Sequence, residues 1–255
     1  MSVSIALDGL SIGYGQHTIA KNISYEFLKG ELIAVVGVNG IGKSTLLRSI
    51  TKLQPILDGM VAVVGNPIEH LNPTELSKLM ALVLTEPLAT KNLTVEELLA
   101  LGRQPYTNWL GTLAKSDISK IELGISQFNL AGIRTKKCFE LSDGQLQRVL
   151  IARAMVQDTP LIVLDEPTTH LDLQNKVQIL KLLQQLAHKH EKTVVFSTHE
   201  IDLAIQLCDK ILILDGDENP FGTPAELIEK GSFEELFQSD TVRFDAKTQT
   251  FKIIK

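Results

Sequence analysis

Leu32-Ile-Ala-Val-Val36, Gly37-Val-Asn-Gly-Ile-Gly-Lys-Ser-Thr45 and Leu46-Leu-Arg48 follow one another early in the chain. An apolar β-favouring run, a glycine-rich loop and a helix-compatible segment make a strand, loop and helix unit. The middle stretch satisfies G-x-x-x-x-G-K-[ST]. Gly37, Gly40 and Gly42 let the backbone turn tightly so that successive amides point inward at an anion, and the helix behind adds its positive end. Lys43 is suited to reach the β- and γ-phosphates of a nucleotide as a mobile point charge, and Ser44 to offer its hydroxyl to Mg²⁺.

The pattern on either side fits such a unit. Upstream, β-rich runs occupy Ile5–Leu10 and Ile23–Phe27, and Glu31–Val36 leads into the loop. Downstream, short apolar runs at Leu79–Leu84, Leu161–Leu164, Val194–Ser197 and Ile211–Leu214 alternate with helical segments. That alternation predicts an α/β fold whose parallel sheet is covered on both faces. Between Thr94 and Gln157 the chain reads as helical, with Thr94-Val-Glu-Glu97 forming a capping box and Ser142 placed to open a further helix. Asp172 is expected to cap a helix running to about His190, with Leu173, Val177, Leu180, Leu183 and Ala187 as its buried stripe. From Asp215 the chain is richer in charges and turns, with a short helix around Ala225–Lys230 and a closing hairpin, and it is expected to be peripheral.

The chain has 255 residues, 44% hydrophobic and 22% charged, which excludes disordered, collagen-like and long coiled-coil classes. With 25 basic against 30 acidic residues the net charge is -5, so no global field draws the surface to nucleic acid. No apolar run approaches the ~20 residues of a membrane span. The opening Met1-Ser2-Val3-Ser4-Ile5 lacks the features of a secretory signal, so a cytosolic chain is expected. Cys138 and Cys208 stand far apart without metal-ligand spacing and read as packing thiols.

Leu161-Ile-Val-Leu-Asp165-Glu166 predicts a buried strand ending in two acids at the carboxyl edge of the sheet. Asp165 is suited to hold Mg²⁺, and Glu166, further out, to polarise an attacking water as general base. The next strand ends in Thr198-His199-Glu200, where His199 is placed to touch a γ-phosphate. His188 and His190 fit a solvated helix end and carry no role.

Leu141-Ser-Asp-Gly-Gln145, followed by Leu146-Gln147-Arg148-Val149 twenty residues before Asp165, resembles the signature motif of ATP-binding cassette (ABC) ATPases. The resemblance runs from about Ile5 to Gly222. It implies a P-loop NTPase (RecA-like) parallel core with an N-terminal antiparallel β subdomain and an inserted α-helical signature subdomain. The ATPase domain spans 1–222, with the insertion at about 88–158, and 223–255 forms a peripheral extension. Tyr14, in Gly13-Tyr-Gly15, matches the aromatic residue that stacks on adenine, and Asn39 and Thr45 belong to the phosphate loop. Thr169-His-Leu-Asp172 matches the loop linking two active sites, and His199 the switch histidine. Ser142, Gly144, Gln145 and Asp172 are implied to serve the nucleotide of a second copy, which makes an ATP-dependent homodimer. Asp143 replaces the commoner first signature glycine and His170 the commoner alanine. Glu86 stands where a glutamine that binds Mg²⁺ and the attacking water is expected. A carboxylate also ligates Mg²⁺, so Glu86 joins Ser44 and Asp165 as a metal candidate, and Glu166 and His199 as a catalytic one.

Leu93 to Tyr106, with Gly-Arg-x-Pro-Tyr at its end, is similar to cassettes of bacterial importers for iron-siderophore complexes, haem and cobalamin. The same run has a plain reading as a helix end, with Gly102 as its stop and Pro105 beyond. The resemblance implies ATP and Mg²⁺ as cofactors and a place on the cytoplasmic face of a membrane. The implied partners are a separate membrane permease and, indirectly, a periplasmic or surface binding protein, with no nucleic acid. A small-molecule phosphotransferase would share the phosphate loop but need an acceptor pocket and lid in place of the Leu141–Gln145 turn. A soluble cassette in a non-transport assembly complex is the other alternative.

Overall fold

Two long antiparallel strands, β1 (Val3–Tyr14) and β2 (His17–Leu28), precede the short β3 (Leu32–Val36), which feeds α1 (Lys43–Ile50). The computed structural model describes residues 2–86, 88–236 and 241–254. β4 (Asp58–Val63) and β5 (Asn66–Pro67) extend the first sheet, and α2 (Pro73–Leu79) runs into β6 (Met80–Val83). α3 (Val95–Leu101), α4 (Lys115–Gln127) and α5 (Asp143–Gln157) form the expected helical insertion. β7 (Leu161–Leu164), α6 (Leu173–His188), β8 (Thr193–Ser197), α7 (Ile201–Leu207) and β9 (Lys210–Ile213) resume the alternation. The chain closes with β10 (Phe221–Gly222), α8 (Pro224–Glu229), α9 (Ser232–Leu236), β11 (Val242–Asp245) and β12 (Thr250–Ile253).

The core sheet has the order β10-β9-β3-β8-β7-β6, parallel except for the edge strand β10. Alternate residues of its strands go to opposite faces, as a period of two requires. Leu32, Ala34, Val36, Ile162, Leu164, Val194 and Phe196 join the cluster under the helices. Ile33, Val35, Leu161, Val163 and Val195 join a second cluster with α1 and the antiparallel sheet β2-β1-β4-β5. Burial on both faces explains why these runs are apolar throughout rather than alternating. The carboxyl ends of β3, β8 and β7 therefore lie side by side. That edge gathers the phosphate loop, Thr198-His199 and Asp165-Glu166.

Inside the insertion, Arg103 explains Gly-Arg-x-Pro-Tyr. Its guanidinium is buried, pairs with the buried Asp117 (Nε to Oδ1, 2.8 Å), and donates to the Val156 and Gln157 carbonyls at the end of α5. The Tyr106 ring lies 4.0 Å from the guanidinium carbon. Gly102 does follow α3, but its backbone is right-handed, so it is no left-handed stop. An added Cβ there would come within 2.6 Å of the Arg153 carbonyl oxygen, so close packing on α5 demands the glycine.

Two expectations need correction. Leu173 is 67% exposed in a first turn whose residues 172–174 all face solvent, and the buried stripe is Ile179, Leu180, Leu183, Leu186 and Ala187. The segment after 222 is less peripheral than expected. Phe233 and Phe244 are buried and, with Leu227, belong to the larger core cluster. Cys138 and Cys208 are buried free thiols, and burial pushes the Cys208 thiol far up, consistent with packing roles.

Candidate active site

The phosphate loop leaves no room for a side chain at Gly37, where a Cβ would stand 2.6 Å from the Leu214 carbonyl oxygen, or at Gly42. Gly42 has φ 106°, and a Cβ on it would stand 2.4 Å from Ile19 Cγ2. It is also the N-cap of α1, so no side chain caps that helix. By contrast α2, α3, α5, α6 and α8 carry side-chain caps. The first-turn amides of α1 are thus left for an anion. Lys43 is only 5% exposed and folds over its own loop, donating to the carbonyl oxygens of Gly37 (3.0 Å) and Val38 (3.2 Å). Burial lowers its pKa, and the charges of Glu166 and Asp165 offset part of that effect.

Asp165 is buried at the end of β7. Its Oδ1 accepts from Ser44 Oγ (2.9 Å) and Ser197 Oγ (2.7 Å), and its Oδ2 from Thr85 Oγ1 (3.1 Å). Glu166 next to it has φ 47°, a conformation that costs a non-glycine residue about 1–3 kcal/mol and turns its side chain across the edge. Its amide donates to Ser197 Oγ (2.8 Å), so one hydroxyl fixes both acids. The Glu166 carboxylate accepts from Thr169 Oγ1 (2.9 Å), and its other oxygen lies 2.6 Å from His199 Nε2. Lys43 Nζ approaches His199 Nδ1 at 3.4 Å. An ammonium can only donate, so this contact assigns the proton to Nε2, which donates to Glu166. Lys43, His199 and Glu166 thereby form one chain of polar contacts along the sheet edge.

Tyr14, Asn39, Gly40, Gly42, Lys43, Ser44, Thr45, Glu166 and His199 line a cleft of about 470 Å³. Gly37 lies behind it as an acceptor for Lys43. The Tyr14 ring is 57% exposed, with its hydroxyl 3.1 Å from Thr45 Oγ1. Ser142, Gly144, Gln145 and Asp172 are absent from this lining. Ser142 caps α5, accepting from the Gln145 amide (3.4 Å), while Gln145 Oε1 accepts from the Ser142 amide (3.1 Å). Gly144 faces Asn175, and Asp172 caps α6 through the Asn175 amide (2.8 Å). Asp143 lies in the first turn of α5, where a negative charge suits the helix dipole, and His170 is exposed with φ 64°. Glu86 lines one cavity with Asp165 and Glu166, but its Oε1 is engaged by Arg48 Nη2 at 2.7 Å. Among the described residues no group of three or more His, Cys, Asp or Glu is placed to hold a metal ion.

Sequence reasoning passed over Ser197 and Thr85, and placed Thr169 in the loop linking two sites without foreseeing its contact to Glu166. For Ser197 the available signal was a polar residue closing the buried strand Thr193-Val-Val-Phe-Ser197 directly after three apolar ones.

The comparisons decide the family. The sequence matches the family described as "ABC transporter" over residues 20–169. The chain belongs to the ABC transporter family. This ABC subunit is 37% identical over 226 residues to the "Probable siderophore transport system ATP-binding protein YusV" of Bacillus subtilis (strain 168), covering 88% of this chain and 82% of that one. It is 32% identical over 238 residues to the iron(3+)-hydroxamate import ATP-binding protein FhuC of the same organism, covering 93% and 88%. A chain of a metal-chelate type ABC transporter in an inward-facing conformation superposes with TM-score 0.82 at 25% identity, covering 98% of this chain and 96% of that one. The ABC chain is an ATPase that drives transport.

Proposed function

We propose that this ABC subunit binds ATP between two copies of itself and uses its hydrolysis to drive uptake of an iron(III) chelate through a separate membrane permease. One observation carries the paired arrangement. The phosphate-loop cleft is lined by one half of the expected nucleotide contacts, while Ser142, Gly144 and Gln145 lie outside it. A second copy facing the first brings the N-terminus of its α5 to the γ-phosphate. The names of YusV and FhuC support the cargo class, with haem and cobalamin as chelates of related kind. The channel belongs to a separate permease chain on whose cytoplasmic side this one sits; among the described residues no helix is long and apolar enough to cross a membrane. A periplasmic or surface binding protein delivers the chelate.

Within the site, entering phosphates draw Lys43 from its contacts with Gly37 and Val38, and its charge passes to the β- and γ-oxygens. The bare first turn of α1 supplies amide donors to the same oxygens. Tyr14 offers its exposed ring to the adenine face. Glu166 accepts the proton of the attacking water, and His199 holds that carboxylate in place while its other nitrogen faces the phosphate side. Ser44 and Asp165 are hard oxygen donors 2.9 Å apart, a set that fits Mg²⁺, which keeps most of its shell from phosphates and water. When bound, Mg²⁺ neutralises charge developing on the β- and γ-oxygens.

The test is reconstitution. The subunit is expressed with a candidate permease, and ATP hydrolysis is followed in proteoliposomes with and without a ferric hydroxamate on its binding protein. Co-purification with the permease and hydrolysis raised by the chelate support the proposal. An ATPase that associates with no membrane protein would instead favour a soluble assembly cassette.

A further inference from the structure

The carboxylate at position 86 has a partner inside the chain, and that partner sits on the helix that begins at the phosphate loop. Arg48 lies in the last turn of α1, five residues from Lys43. Its Nη2 reaches Glu86 Oε1 at 2.7 Å, while its Nε is buried without a hydrogen-bond partner. The root of the side chain is thus packed, and the Nη2 end is directed at Glu86. The residue before Glu86 is tied in another direction: Thr85 Oγ1 donates to Asp165 Oδ2 (3.1 Å) and lies 3.3 Å from the Asp165 carbonyl oxygen. The segment therefore starts against the metal-site acid, and its next side chain leads away to α1.

Electrostatics says why that matters. Glu86, Asp143, Asp165 and Glu166 all line a cavity of about 310 Å³ whose basic side chains, among the described residues, are Lys91 and His170. A carboxylate free to turn inward would add to the negative charge that a nucleotide must meet there. Arg48 does not line that cavity, yet it holds Glu86 Oε1 at 2.7 Å.

We propose that Arg48 is a positioning residue that holds the Glu86 carboxylate away from the Ser44–Asp165 position, so that a bound cation competes with this arginine for Glu86. The inference rests on the reading that Ser44 and Asp165 take Mg²⁺. It makes the segment from residue 85 respond to nucleotide through the exchange of one ion-pair partner for another. The pair is partly exposed, 38% for Arg48 and 64% for Glu86, so it is of the strength that a bound ion can displace.

The experiment measures binding of a fluorescent ATP analogue to the full chain as a function of Mg²⁺, with a parallel titration in EDTA. Arg48→Gln is expected to lower the Mg²⁺ concentration at half-saturation by about two- to fivefold, the range of an exposed pair, and to weaken binding in EDTA, where the released carboxylate only repels the phosphates. Arg48→Lys restores the parent value, because a point charge still engages Glu86. In a Glu86→Gln background, Arg48→Gln is expected to have no further effect. An unchanged or raised Mg²⁺ requirement in Arg48→Gln, or an equal shift in both backgrounds, would overturn the proposal. If Arg48→Gln does not fold, Arg48→Met against Arg48→Met/Glu86→Gln decides it: a Mg²⁺ midpoint indifferent to Glu86 once the cation is gone counts against it. Parent protein that binds no Mg²⁺-dependent nucleotide would fail the functional reading itself, a result distinct from any of these.

Discussion

Ser197→Ala removes one hydroxyl and tests whether the two acids of the site are fixed as described. Ser197 is fully buried, donates to Asp165 Oδ1 at 2.7 Å and accepts from the Glu166 amide at 2.8 Å. Asp165 keeps Ser44 and Thr85 after the substitution, so its carboxylate is weakened rather than orphaned. The Glu166 amide loses its partner at a backbone angle of φ 47°. A hydrogen bond to a charged group contributes about 1.5–3 kcal/mol and an orphaned buried amide costs about 1–3 kcal/mol, so with partial relaxation the loss is about 2–4 kcal/mol. At roughly 3 °C per kcal/mol for a chain of this size, Tm falls by about 6–12 °C. The same loosening displaces the base from its water, and kcat is expected to fall at least tenfold, with the KM for ATP changed less because the phosphate loop is untouched. Differential scanning calorimetry and steady-state ATPase assays read both quantities. A variant with parent Tm and parent kcat would refute the claim that this hydroxyl organises Asp165 and Glu166.

Glu166→Gln should retain ATP binding while hydrolysis falls by two orders of magnitude or more, and should accumulate as a dimer with Mg²⁺-ATP in sedimentation velocity; normal turnover would remove Glu166 from the role of base. Asp117→Asn leaves Arg103 buried without its counter-charge and is expected to cost about 3–5 kcal/mol, read by urea denaturation. Burial acts to raise the Asp117 carboxyl, but the Ala114 amide and the Arg103 guanidinium outweigh it and hold the pKa below its usual value. A depressed carboxylate contributes stability that is present above the unfolded pKa of about 4 and is lost as pH falls through the folded value, so the parent should lose stability below pH ~4 faster than the Asn variant.

What the sequence displayed was local or periodic. The phosphate loop, the Thr94 capping box, the helix start at Ser142, the Asp172 cap and the apolar strands each depend on residues within one turn or one strand of each other, and all are present in the fold. What it hid was contact across the sheet edge. Ser197 meets Asp165 from 32 residues away, Thr85 from 80, and Arg48 meets Glu86 from 38, and none of these pairs leaves a spacing pattern. Leu173 was misleading for the opposite reason: it keeps the helical period of α6 while its turn lies beyond the packed core. β4 was missed because its first three residues, Asp58-Gly-Met60, are exposed and break the apolar pattern. Arg103 shows a motif with a structural cause: its residues knit the ends of α3 and α5 together and touch neither the phosphate loop nor the paired acids.

The central claim is that each nucleotide is shared between the phosphate loop of one copy and the α5 N-terminus of another. Mixing Lys43→Ala protein with Ser142→Arg protein measures this directly, since each is expected to be inactive alone. A mixed dimer holds one intact site, made from Lys43 of one copy and Ser142 of the other, so the account predicts ATPase activity well above the sum of the separate preparations. Activity in the mixture no greater than that sum, with both variants folded, would contradict it.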